Sequence, residues 1–257
     1  MSIFQAWFTT ASIRFRIRGL KALLRDQRTE LIAIRHHLRP GDIACDVGAN
    51  KGSFIYWLSW WVRDGRVVAF EPQLELARGL ANICRVIGLG NVTVEAKAAY
   101  SHSGNQDLFV PAGHQPGASL MHKEMEAENV TTLSVPVVAL DDYFDENDRV
   151  TLLKIDVEGA ELAVLSGAER ILRRRAPLLV FECENRHRAP GSVEDVFSYL
   201  TGLGYEGNFV CRNRLLPISQ FDAAIHQRQD GEWFWKSKDY RNNFIFHKPR
   251  RTSDTAY

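Results

Sequence analysis

Apolar residues in this chain fall into short continuous runs, spaced by longer stretches in which apolar positions recur at helical intervals. That alternation predicts a parallel sheet with helices on both faces. Residues 42–47 (DIACDV), 66–71 (RVVAFE), 92–96, 151–157 (TLLKIDV) and 177–183 (PLLVFEC) read as buried strands. Residues 53–62 read as an apolar helix, and Pro72 opens a second that runs to about Ile87, where Gly88 and Gly90 stop it. A third helix spans 160–175.

Two regions break the alternation. Residues 104–140 form a polar excursion with strands near 108–110 and 132–138. Residues 205–247 carry two final strands, 207–210 and 243–247, around a long loop holding Trp233, Phe234 and Trp235. Loops of that length at the carboxyl edge of such a sheet shape pockets. The aromatic trio is expected to wall one, with a cap over the core as the competing reading.

The first 40 residues stand apart. They hold eight Lys/Arg against two acids, whereas the chain of 257 residues has a net charge of +1. One or two helices are expected there, with Phe4, Trp7, Phe8, Leu20, Leu23 and Leu24 as apolar material. Arg14, Arg16, Arg18 and Arg25 supply a cationic face. The apolar residues are expected to dock on the rest of the chain or on the partner in a homodimer. Weak peripheral contact with anionic membrane is the alternative. The expected organisation is a basic helical extension (1–40), one α/β domain (41–249) and a tail (250–257).

The near-neutral overall balance argues against a nucleic-acid partner. No apolar run approaches the ~20 residues of a membrane span, and Arg14, Arg16, Arg18 and Lys21 interrupt anything like a secretory signal. Cys45, Cys84, Cys183 and Cys211 form no CxxC pair. Buried reduced thiols and a cytoplasmic setting follow, rather than a metal or disulfide framework.

Candidate chemistry begins at CDVGANKGSF, residues 45–54, a glycine-bearing turn between a strand and a helix. Such a turn lets backbone approach a ligand and aims helix N–H groups at it. The spacing is wrong for the dinucleotide fingerprint, and no GK[ST] follows for a P-loop. A tight turn without a ligand is the plain alternative. Glu71, an acid at the end of the second strand, favours a ligand, because a carboxylate there can accept both hydroxyls of a ribose. Acid, glycine loop and ribose acid without a diphosphate fingerprint suit S-adenosyl-L-methionine.

These segments, taken in order, resemble the FkbM-type class I methyltransferases. The likeness runs through DVGANKGSF (46–54), AFEP (69–72), AAYSHSG (98–104), ASL (118–120), VPVVALDDY (135–143), KIDVEGAELAVLSGA (154–168) and PLLVFEC (177–183). It implies a Rossmann-like sheet of seven strands with the last antiparallel, S-adenosyl-L-methionine as cofactor, and methylation of a hydroxyl on a sugar, glycan or secondary metabolite. By the same resemblance Asp46, Gly48, Ala49, Asn50, Gly52, Ser53 and Phe54 form the cofactor loop. Glu71 and Pro72 hold the ribose, Lys97 and Ala98 lie beside the adenine, and Asp156 sits below the methyl.

Transfer to a hydroxyl needs an aligned acceptor and a base for its proton. Asp156 and Glu158 end the fourth strand, and alternation sends them to opposite sides if the strand persists that far. Glu158 also reads as a helix N-terminal charge. Glu182 follows four apolar strand residues and needs a partner or a function. His187, in ENRHR, is a further candidate base, or a solvated loop histidine. No metal site is expected, although Asp156, Glu182, Glu184 and Asn185 are oxygen donors of the kind magnesium-dependent catechol-type enzymes use. The sequence has DVEG where amino-methylating nucleic-acid enzymes carry [DNS]-P-P-[YFW]. A cofactor-binding module without catalysis is the alternative from a different class.

Overall fold

The computed structural model describes residues 3–111, 117–121, 130–188 and 191–249, with side chains from residue 10 onward. Two helices come first, α1 (Ile3–Lys21) and α2 (Arg28–His37), joined by a π-helical turn at Ala22–Asp26. There follow β1 (Ile43–Val47), α3 (Ile55–Trp61), β2 (Arg66–Phe70), α4 (Leu74–Val86) and β3 (Val92–Glu95). A short β4 (Ala98–Ala99) precedes the hairpin partners β5 (Gly104–Pro111) and β6 (Val130–Val138), then α5 (Leu140–Tyr143). The chain continues through β7 (Val150–Ile155), α6 (Glu161–Ser166), α7 (Glu169–Arg174), β8 (Leu178–Glu182) and α8 (Val193–Gly202). It closes with β9 (Glu206–Cys211), β10 (Arg214–Pro217), α9 (Ala223–His226) and β11 (Asn243–His247).

Among the described residues the main sheet runs β10-β9-β11-β8-β7-β1-β2-β3. Its centre is parallel, and β11 is antiparallel to both β8 and β9. This is the predicted α/β sheet with an antiparallel last strand; β10 adds an edge strand, mostly exposed and so without an apolar run to read. One face is covered by α2 and α3, whose Leu31, Ile34 and Leu58 share a core with Val67, Leu152, Val180 and Ile245. The other is covered by α6, α7 and α8, with Val164, Leu172 and Leu200 sharing a core with Leu153, Phe181 and Phe244. Burial on both faces is why these strands read as unbroken apolar runs.

Strand β7 stops at Ile155, so Asp156 and Glu158 lie in the following turn and do not alternate along a strand. Glu158 takes φ +55 and Gly159 φ +109 there. The helix expected over 160–175 is two helices broken at Gly167 and Ala168. A Cβ on Gly167 would lie 2.0 Å from the Tyr100 carbonyl oxygen, so the break seats this turn against the segment that follows β4. Asp141 then caps α7, accepting from the Arg170 and Ile171 N–H groups at 2.6 and 3.0 Å. Helix α8 has no counterpart among the predicted elements, although Ser192 and Asp195 form a capping box at its start.

The N-terminal extension docks on the body. Phe15 is fully buried, Arg18 Nη1 donates to the Lys51 carbonyl at 2.8 Å, and Trp57 Nε1 donates to the Gly19 carbonyl at 2.7 Å. Leu20 and Leu24 do not dock; they are exposed, with Ile13 and Ile17. The side chains of Phe4, Trp7 and Phe8, and the tail 250–257, lie outside the described residues.

Candidate active site

The loop after β1 is tied to both neighbouring strands. Gly48 and Ala49 N–H groups donate to the Phe70 carbonyl at 3.0 Å each, and the Asp156 N–H donates to the Val47 carbonyl at 3.0 Å. Gly48 has φ +73, and a Cβ on it would stand 1.8 Å from the Asp156 carbonyl oxygen. The glycine is therefore needed to let the ends of these neighbouring strands come close, in addition to any approach to a ligand. Asn50 follows in the left-handed region at φ 45, a conformation asparagine tolerates better than most residues.

Glu71 organises the turn from the other side. Its Oε2 accepts from the Asn50 N–H and its Oε1 from the Gln73 N–H, both at 2.9 Å. The residue is 3% exposed, and burial raises its pKa against the opposing pull of those two N–H groups. Each oxygen retains a lone pair.

Beneath the loop lies Lys154, which no residue pattern singled out. Its ammonium is 3.1 Å from Asp46 Oδ1, at an angle that makes an ion pair without a hydrogen bond, and 3.6 Å from Asp156 Oδ2. It donates to the Gly48 carbonyl at 3.3 Å and lies 5.3 Å from the Phe54 ring centre. Burial pulls its pKa down, but Asp46 and Asp156 outweigh that and the net shift is upward. The lysine is a fixed cation joining the ends of β1 and β7.

Above this floor opens a cleft of about 160 Å³. Of the sequence-predicted residues, Gly48, Asn50, Glu71, Pro72, Ala98, Asp156, Glu158 and Glu182 line it. Asp46, Ala49 and Phe54 are buried below, and Gly52 packs against Phe15 and Leu80. Ser53 is half-buried outside the lining, and Lys97 lies 3.9 Å from Glu95. The excursion forms part of the wall through Leu108, Ala118 and Leu120, and Ser119 Oγ donates to the Glu158 carbonyl at 2.7 Å.

Beside the cleft, and not among the residues that line it, His187 places Nδ1 2.6 Å from Glu158 Oε2. The contact depends on Gly159: a Cβ there would fall 2.2 Å from the His187 carbonyl oxygen. Glu182 is built differently. Asn242 Nδ2 donates to Glu182 Oε1 at 2.7 Å and to Glu184 Oε1 at 3.0 Å. Burial raises the Glu182 pKa well above its usual value, with the Asp156 and Glu184 charges adding to it. Burial would raise Glu184 too, but Arg186 and Asn242 hold it at about 2, and Tyr240 donates to it at 2.9 Å. Glu184's oxygens are thus committed to protein donors. Among the described residues no cluster of three or more His, Cys, Asp or Glu could hold a metal ion. The aromatic trio does not wall the cleft: Trp233 is 55% exposed, and Trp235 instead receives the Arg186 guanidinium at 4.8 Å.

A family model described as the Methyltransferase FkbM domain matches residues 46–206, more than half of the chain. The 31-O-demethyl-FK506 methyltransferase FkbM of Streptomyces tacrolimicus is 29% identical over 214 residues, covering 71% of this chain and 80% of that protein. A crystal structure of Methyltransferase FkbM from Methylobacillus flagellatus KT superposes with a TM-score of 0.52 at 17% identity. It covers 93% of this chain, which spans only 58% of that one. SMU.1697c from Streptococcus mutans, solved in complex with SAH, shares the fold with a TM-score of 0.51 at 11% identity, covering 88% of this chain and 98% of that one. The family match falls on the segment that builds the cleft, and this chain belongs to the FkbM family of S-adenosylmethionine-dependent methyltransferases.

Proposed function

We propose that this chain methylates a hydroxyl group of a small-molecule or glycan acceptor, with His187 as the base. The observation that carries this reading is the 2.6 Å contact between His187 Nδ1 and Glu158 Oε2 beside the cleft. A carboxylate at Nδ1 holds the proton there and leaves Nε2 as the acceptor. Glu158 also stabilises the imidazolium that forms when Nε2 takes a proton. A hydroxyl nucleophile must lose a proton during attack, whereas a neutral amine attacks before losing one. An oriented histidine therefore suits oxygen as the acceptor atom.

The residues present fit the cofactor. Glu71 has a free lone pair on each oxygen for the ribose hydroxyls, Pro72 and Ala98 flank them, and Gly48, Asn50 and Asp156 line the remainder of the same cleft. S-adenosylmethionine, when bound, supplies an electrophilic methyl group on a cationic sulfur. Asp156 presents a carboxylate toward that end, and Lys154 keeps it in place from below. Val47, Phe70, Leu108 and Leu120 give the cleft apolar walls. Glu182 shares Asn242 with Glu184, and burial favours its neutral form, so it shapes the acceptor side rather than serving as the base.

The test is a labelled-methyl screen of hydroxylated acceptors, with mass spectrometry locating the methyl group. Transfer to oxygen by the wild type, lost in His187→Gln, is the expected result. Transfer to nitrogen or carbon, or cofactor binding with no turnover on any acceptor, contradicts the reading.

A further inference from the structure

The face of α1 that turns away from the body is apolar. Ile13, Ile17 and Leu20 are 51%, 46% and 48% exposed, and Leu24, in the π-helical turn that follows α1, is 64% exposed. Ile13, Ile17 and Leu20, spaced four and three residues apart, align on one stripe, and Leu24 lies just beyond its end. The opposite face already has its partners, since Phe15 is buried and the Gly19 carbonyl is bound by Trp57. Single exposed aliphatic residues need no explanation, but three in line on the solvent side of a helix, with a fourth just past its end, do.

The flanks of the stripe are cationic. Arg14, Arg16 and Lys21 border it, Arg25 follows in the turn to α2, and Arg28 opens α2. Asp26 is the only acid between residues 10 and 29, and it is paired with Arg25 at 2.6 Å. A second copy of this chain would meet the stripe with the same cations, placing like charges around the rim of a two-fold contact. An anionic surface with an apolar interior meets both features at once.

We infer that α1 is an interfacial helix that seats this chain on an anionic lipid bilayer. The aliphatic stripe enters the acyl boundary, while Arg14, Arg16 and Lys21 lie at the lipid phosphates. No described helix is long and apolar enough to cross a membrane, so the contact is peripheral. The Arg18 bond to the Lys51 carbonyl keeps the seated helix beside the cofactor loop.

The experiment is co-sedimentation of the full chain with vesicles of phosphatidylcholine alone or with about one-third phosphatidylglycerol, at low and high salt. The expected result is sedimentation with the anionic vesicles, roughly tenfold weaker on neutral ones and released by high salt. L20E/L24E should lose roughly tenfold or more of the anionic binding, as should R16E/K21E, which leaves the stripe intact. All four side chains are exposed, so the melting curves of both variants should follow the wild type. Equal binding to both vesicle types, no binding to either, or wild-type binding by both variants overturns the inference. So does a dimer in light scattering that L20E/L24E converts to monomer, because the stripe would then be covered by a second copy.

Discussion

Lys154 and Asp46 meet 3.1 Å apart where strands β1 and β7 lie side by side, both almost fully buried. Asp46 pairs with Lys154 in register across these strands, so the contact is set by the sheet itself. Breaking a buried pair by removing one partner leaves an uncompensated charge and costs about 3–5 kcal/mol. Lys154→Met should therefore lower stability by that order in a urea titration and abolish cofactor binding. Asp156→Asn, on the exposed side of the same lysine, should weaken cofactor binding with a smaller stability loss.

Gly48 and Glu71 both belong to the cofactor loop but should fail differently. A Cβ at position 48 meets backbone 1.8 Å away, so Gly48→Ala forces the ends of β1 and β7 apart. The expected outcome is a broad loss of stability, visible as a lowered melting temperature without any ligand. Glu71→Ala removes an acceptor that charged hydrogen bonds to a ribose would use. Calorimetry should show S-adenosylmethionine affinity reduced roughly 10–100-fold.

Arg18 connects α1 to the loop through the Lys51 carbonyl. Its guanidinium is partly desolvated there, and burial lowers its pKa. Arg18→Ala should leave the fold intact and weaken cofactor binding several-fold, because the loop loses a neutral acceptor's charged donor worth about 1.5–3 kcal/mol at most. Unchanged affinity in calorimetry would show that α1 does not help to order this loop.

Glu30, on α2, is 4% exposed, and burial raises its pKa from 4.5 to about 6, opposed by its own backbone N–H. Below about pH 4.5 the carboxyl carries its proton in both the folded and unfolded chain, and burial has no ionisation cost. Between about pH 4.5 and 6 the unfolded chain ionises first, so this group's contribution to stability falls as pH rises. Above that it is a constant penalty of about 2 kcal/mol. Glu30→Gln should stabilise the protein by up to that amount near pH 7.5 and by almost nothing near pH 4, as read by denaturant titration at the two values.

What could be read from the sequence is what depends on local pattern. The strands through Cys45, Val68, Leu153 and Phe181 are buried on both faces and announce themselves as apolar runs. Glu71 and the turn at Gly48 fall at strand ends, where position alone suggests a ligand edge. Lys154 was hidden because its role exists only once β1 and β7 are neighbours. The pairing of His187 with Glu158 was hidden for a similar reason. It needs the turn to leave the strand at Ile155 and the backbone of residue 187 to settle against Gly159. Its only local trace was a glycine directly after Glu158. Trp233 and Trp235 misled because long loops at a carboxyl edge usually turn inward, whereas here Arg186 offers Trp235 a cation outside the cleft.

The central claim is that His187, aimed by Glu158, takes the acceptor's proton during methyl transfer. The most direct measurement is the methyl-transfer rate of His187→Gln under saturating cofactor, with S-adenosylmethionine affinity measured on the same sample by calorimetry. The account predicts a rate lowered roughly 10²–10⁴-fold with affinity unchanged, and a smaller loss of the same kind in Glu158→Gln. A His187→Gln enzyme that turns over at the wild-type rate contradicts it.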